Sequence, residues 1–232
     1  MKSVSLLLLP GLDGTGRLFK PLLKYLPEWI DPIVVSYPED QPYGYQDLKK
    51  IINKRLPDDD DFVILGESFS GPLSIMIAGQ RPKRLIGLIL CATFAKNPLR
   101  FLPPWAGYFS ISPIYQLWPA TIKLRAIFAK GKYDNLVQMA LEAIKSVKPE
   151  VISARVKAIF NVNVEPNLLK INVPILYMRS RKDYLIKKHN IKRIKRLKKD
   201  IKVIDIDTQH FLLQLEPEKA ADEITRFIET IS

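Results

Sequence analysis

Apolar residues along this chain follow two alternating spacings. Short runs rich in Leu, Ile and Val read as strands: Ser5 to Leu9, Ile33 to Ser36, Phe62 to Gly66, Leu85 to Cys91, Val173 to Met178 and Lys202 to Ile206. Between them, apolar positions recur every three or four residues. That spacing predicts helices over Arg17 to Leu26, Tyr45 to Arg55, Ser70 to Arg81, Lys187 to Lys199 and Ala220 to Ile231. Strands alternating with helices build βαβ units, and so a parallel sheet with right-handed crossovers.

The alternation stops between about Phe94 and Asn172, where no strand pattern occurs. This stretch opens on an aromatic, proline-rich segment, Phe101-Leu102-Pro103-Pro104-Trp105 through Trp118-Pro119. Helical patterns follow at Leu136 to Val147 and Glu150 to Phe160. The expected organisation is a core of residues 1–93 and 173–232, with residues 94–172 inserted as a helical lid.

Composition narrows the class. The chain has 232 residues, of which 47% are hydrophobic and 26% charged, the balance of one soluble globular domain able to bury a core. The lone cysteine, Cys91, sits in an apolar run and reads as a core thiol. The four leucines after Met1-Lys2-Ser3-Val4-Ser5 are too short for a secretory segment and run into Pro-Gly-Leu-Asp-Gly. With no run of membrane-spanning length, a cytoplasmic protein is expected. The net charge is +12, unevenly spread: Arg181 to Lys202 holds eleven Lys or Arg against two Asp. Such a field draws acidic partners, although a solvated helix face has the same pattern.

The chemistry-bearing residues fall where strands end. The third strand runs into Gly66-Glu67-Ser68-Phe69-Ser70-Gly71, with a helix directly after. A serine on a sharp strand-to-helix turn, with small residues two positions either side (here Gly66 and Ser70), has the pattern of a nucleophile elbow. A hydroxyl needs a base to take its proton, and a carboxylate to orient that base. Asp183 follows the fifth strand, and His210 follows the sixth. His189, the other histidine, lies in the lysine-rich helix and reads as a surface residue. The glycine-rich loop Leu9-Pro10-Gly11-Leu12-Asp13-Gly14-Thr15-Gly16 is the expected source of an oxyanion hole, formed by the backbone N–H of Leu12 together with that of Phe69. Neither phosphate-loop spacing, G-x-x-x-x-G-K-S/T or G-x-G-x-x-G, is present.

In these segments, and in Gln-His-Phe-Leu at 209–212, the chain resembles the α/β-hydrolase superfamily over nearly its whole length. Within it the chain is most similar to small bacterial esterases and thioesterases, and more loosely to pimeloyl-acyl-carrier-protein methyl ester esterases. The resemblance implies an α/β fold with six parallel strands in the order 2-1-3-4-5-6. It lacks the family's N-terminal hairpin and carries a lid after the fourth strand. It departs from G-x-S-x-G by placing Ser70 at the second glycine. It also implies basic lid residues that contact an acidic carrier protein.

The expected activity is hydrolysis of esters or thioesters with apolar acyl groups, with no cofactor and no metal. Asp13, Phe101 and Trp105 are candidate pocket residues. Two readings compete with this one: a non-catalytic binding module on a hydrolase scaffold, and nucleic-acid binding through the basic helix, which carries no recognised motif.

Overall fold

The computed structural model describes residues 3–98 and 134–232. Six strands form one sheet: β1 (Val4–Leu9), β2 (Ile30–Val34), β3 (Phe62–Glu67), β4 (Leu85–Cys91), β5 (Ile175–Ser180) and β6 (Lys202–Ile206). Their order is β2-β1-β3-β4-β5-β6, and every pairing is parallel. The described helices are α1 (Lys20–Leu23, after a 3₁₀ turn at Arg17–Phe19), α2 (Tyr45–Asn53), α3 (Ser70–Ala78), α4 (Asp134–Lys145), α5 (Pro149–Asn161), α6 (Glu165–Lys170), α7 (His189–Leu197), α8 (Leu212–Leu215) and α9 (Pro217–Glu229).

The apolar runs are continuous because β1 and β3 are buried on both faces. Successive side chains alternate between those faces. Leu7 and Leu9 join a layer with Leu48, Ile52, Leu73 and Ile194 of α2, α3 and α7. Leu6 and Leu8 join the opposite layer with Leu22, Ile224, Phe227 and Ile228 of α1 and α9.

The chain leaves β1 toward β2 and then returns to place β3 on the other side of β1. At such a switch point the loops beyond the strand ends diverge and open a crevice. The register Leu9↔Gly66 sets the loop after β1 beside the turn after β3.

Several expected boundaries move, among them β5, which runs Ile175–Ser180 rather than Val173 to Met178. β2 starts at Ile30 rather than Ile33, and Pro32 pairs with Leu6. Proline is tolerated there because β2 is an edge strand. The first helix is a 3₁₀ turn followed by one short α segment containing Pro21. The last helix starts at Pro217, at its N-terminal position, after a separate short α8.

The described part of the insertion is helical, formed by α4, α5 and α6. Its two ends are tied by an antiparallel bridge between Lys96 and Asn163, and by Val164 N–H donating to Ala95 O at 2.8 Å. The aromatic segment with Phe101 and Trp105 lies outside the described residues. Among the described residues, no helix is long and apolar enough to cross a membrane.

Candidate active site

The turn after β3 forces Ser68 into the left-handed region, at φ 46°. That conformation is costly for a residue with a Cβ and persists only where the surroundings hold it. Here Ser68 N–H donates to Cys91 O at 2.9 Å, and Thr93 Oγ1 donates to Ser68 O. Gly66 makes room, since a Cβ there would lie 2.7 Å from Ser70 O.

The loops after β5 and β6 bring Asp183 and His210 to this turn. Ser68 Oγ lies 2.8 Å from His210 Nε2, and His210 Nδ1 lies 2.8 Å from Asp183 Oδ2. The other carboxylate oxygen of Asp183 accepts the N–H groups of Leu185 and Ile186, each at 2.8 Å. Both side chains are buried, that of Asp183 almost completely. The carboxylate is therefore fixed by backbone donors and fixes the imidazole in turn. His189 is half-buried rather than on the surface, with Nε2 3.1 Å from Pro98 O.

Ser70 does more than fit the place of a glycine. Its hydroxyl donates to Pro10 O, and Tyr37 Oη lies 2.5 Å from Ser70 Oγ. The elbow and the loop after β1 are thus joined directly. Tyr45 holds the neighbouring peptide, donating to Phe69 O at 2.9 Å and stacking on the Phe69 ring at 4.7 Å. Burial pushes the hydroxyls of both tyrosines well above their ordinary range, so both remain protonated donors. Among the described residues, the N–H groups of Leu12 and Phe69 make no hydrogen bond.

A cavity of about 330 Å³ opens onto Ser68 and His210. Apolar side chains dominate its wall, among them Leu18, Phe94, Ile144, Ile159, Leu185 and Phe211. Asp13 also lines it, but its carboxylate is already occupied: Oδ2 accepts from Thr15 N–H at 2.9 Å and Thr15 Oγ1 at 2.6 Å.

Two residues here escape sequence reasoning. Glu67 is buried beside the nucleophile, where Gln214 Nε2 donates to it at 2.9 Å. Burial pushes its carboxyl up to about 7; Asp13 adds to the rise, while the Gln214 hydrogen bond and His210 oppose it. Arg155 of α5 is also fully buried, against the loop after β1. The one signal in the sequence is register. Arg155 falls three and four residues after the buried Ile152 and Val151, on the apolar face of its helix.

No family model matches the chain, and no curated protein matches it in sequence. The solved structures give extensive likeness. An esterase from Exiguobacterium antarcticum superposes at TM-score 0.82 and 17% identity, covering 98% of this chain and 92% of that one. The enol-lactonase from Burkholderia xenovorans gives TM-score 0.81 at 12% identity, over 99% and 92% of the two chains. A lipase-esterase related protein from Clostridium acetobutylicum gives 0.79 at 16%, over 97% and 95%. At these identities the likeness is one of fold. The chain has the α/β-hydrolase fold that its motifs led one to expect.

Proposed function

We propose that the protein is a serine hydrolase that cleaves carboxylic esters or thioesters with an apolar acyl group through an acyl-enzyme. The observation that carries this reading is the unbroken chain from Ser68 Oγ to His210 to Asp183, with 2.8 Å at each link. In this reading His210 Nε2 takes the Ser68 proton as Oγ attacks the carbonyl carbon. Asp183 keeps Nδ1 protonated and stabilises the imidazolium that forms. The N–H groups of Leu12 and Phe69 receive the oxyanion. The Phe69 amide stands at the N-terminus of α3, whose dipole favours negative charge there. The imidazolium then protonates the leaving alcohol or thiol, and water repeats the sequence on the acyl-enzyme.

The apolar cavity wall favours hydrocarbon over sugars or phosphates. Exposed Lys187 and Lys188 directly follow Leu185 and Ile186 of that wall. Their charge favours substrates presented on an acidic carrier.

The test uses p-nitrophenyl esters, acyl thioesters and a fluorophosphonate probe. Wild type is expected to be labelled and to turn over. Ser68→Ala is expected to fold, lose labelling and lose turnover by several orders of magnitude. Asp183→Asn is expected to keep the fold and lose roughly three to four orders in kcat. Labelling at another serine, or an Asp183→Asn variant near wild type, overturns the assignment.

A further inference from the structure

Arg155 presents a physical problem. A guanidinium in an apolar interior is costly unless charge partners and hydrogen bonds compensate it. Arg155 is only 1% exposed, yet among the described residues no carboxylate reaches ion-pair distance of it. Among the described residues its Nε has no hydrogen-bond partner. What it meets instead are backbone carbonyls. One terminal nitrogen, Nη1, donates to Leu12 O at 3.0 Å and to Asp13 O at 2.6 Å; Nη2 donates to Pro38 O at 3.0 Å. The guanidinium carbon stands 5.5 Å from the centre of the Tyr37 ring. A methionine would fill this space without the desolvation cost, so packing alone does not explain an arginine.

The carbonyls it selects belong to the loop after β1. Fixing Leu12 O and Asp13 O fixes two successive peptide planes, directly after the Leu12 amide. Gly14 is shaped to the same contact: its φ is +70°, and a Cβ there would lie 2.7 Å from Arg155 Cζ. The Leu12 side chain packs on α5 beside Val151 and Ile152. Arg155 itself does not line the cavity, so it can act only through the loop.

We propose that Arg155 is a positioning residue, by which a helix of the inserted segment sets the orientation of the oxyanion-binding amide of Leu12. This rests on the serine-hydrolase reading above. Loss of the guanidinium would leave Ser68, His210 and Asp183 in place and blur the position of one oxyanion donor. Its effect therefore falls on the tetrahedral transition state and spares ground-state binding.

The experiment compares wild type, Arg155→Met and Arg155→Lys on a p-nitrophenyl ester, with fold checked by near-UV circular dichroism and thermal unfolding. For both variants kcat is expected to fall by about 10–100-fold while KM stays within about twofold. Affinity for a trifluoromethyl ketone, which forms a tetrahedral oxyanion on the serine, is expected to fall by the same factor as kcat/KM. Lysine cannot reach the Leu12–Asp13 carbonyls and Pro38 O together, so it too loses activity, but it keeps the charge and a donor to the loop, so its loss is expected to be the smaller one. It also serves as the folded comparison should the methionine variant unfold. A folded variant that keeps kcat and trifluoromethyl ketone affinity overturns the proposal. So does a loss of activity that merely tracks the folded fraction. A wild type that neither hydrolyses esters nor takes the fluorophosphonate label overturns the serine-hydrolase reading itself, before any variant is compared.

Discussion

Glu67 gives the sharpest test of the site's electrostatics, because its consequence can be measured without a substrate. Its carboxyl ordinarily titrates at 4.5, and burial in the folded protein pushes it up to about 7. The folded state therefore binds this proton more tightly than the unfolded chain does. Stability from Glu67 is fully present below pH 4.5 and is lost as pH rises through about 7. At about 1.4 kcal/mol per pH unit, the loss comes to ~3 kcal/mol by pH 8. Glu67→Gln keeps the size and the oxygen that accepts from Gln214, but it has no proton to lose. The assay is urea denaturation of both proteins at unit steps from pH 5 to 8. The difference between them isolates Glu67, since groups that titrate alike in both cancel. Relative to wild type, the variant is expected to gain ~3 kcal/mol across that range, roughly 10 °C in Tm for a chain of this length. Stability curves that run parallel with pH would refute the reasoning, because Glu67 would then titrate alike folded and unfolded.

Two further outcomes are expected. Ser70→Ala strands two buried groups, the Tyr37 hydroxyl and Pro10 O, and is expected to cost roughly 2–4 kcal/mol in urea denaturation; a cost under about 0.5 kcal/mol would mean the bridge is not stabilising. Raising salt from about 0.05 to 0.5 M shortens the screening length from roughly 14 to 4 Å, so kcat/KM for an acyl-carrier substrate is expected to fall steeply while that for a neutral p-nitrophenyl ester barely changes. Lys187→Glu with Lys188→Glu is expected to reproduce that fall at low salt, and equal insensitivity of both substrates rules out carrier presentation.

The sheet was legible because its strands are buried on both faces, so each wrote itself as an unbroken apolar run. The elbow was legible because a strained turn leaves only small residues two positions either side of Ser68, at Gly66 and Ser70. Asp183 and His210 could be chosen because each stands one loop beyond a strand end. β2 was misplaced by three residues because it is an edge strand: with Asp31 and Pro32 inside it, two of its five residues break the apolar pattern. Arg155 and Glu67 were not legible as site residues, for a shared reason. The groups that give them meaning are remote in sequence: Arg155 meets Leu12 and Asp13, and Glu67 meets Gln214. Read alone, a lone arginine on an amphipathic helix is a surface charge, and a glutamate at a strand end is a solvated one. The aromatic stretch holding Phe101 and Trp105 lies outside the described residues, so those pocket assignments rest on the sequence.

The distribution of buried polar groups points to the same end of the sheet without any motif. Burying a polar side chain is unfavourable unless it is compensated, so folds keep such groups few. Here most of them collect just beyond strand C-termini: Asp13 and Thr15 after β1, Ser70 after β3, Thr93 after β4, Thr208 and His210 after β6, while Ser74 and Asn190 lie within α3 and α7. Glu67 and Ser180 close β3 and β5 themselves. Gln214, from α8, meets Glu67, and Arg155, from α5, meets the loop after β1. Within the strands, by contrast, Ser5 is the one buried polar residue away from those ends among the described residues. A fold selected for stability alone would have no reason to gather its costly groups at one rim. Their concentration around Ser68, drawn from five different strand ends, is what a preorganised polar site requires. The apolar cavity beside it supplies the low-dielectric surroundings in which such fixed dipoles act most strongly on a developing charge.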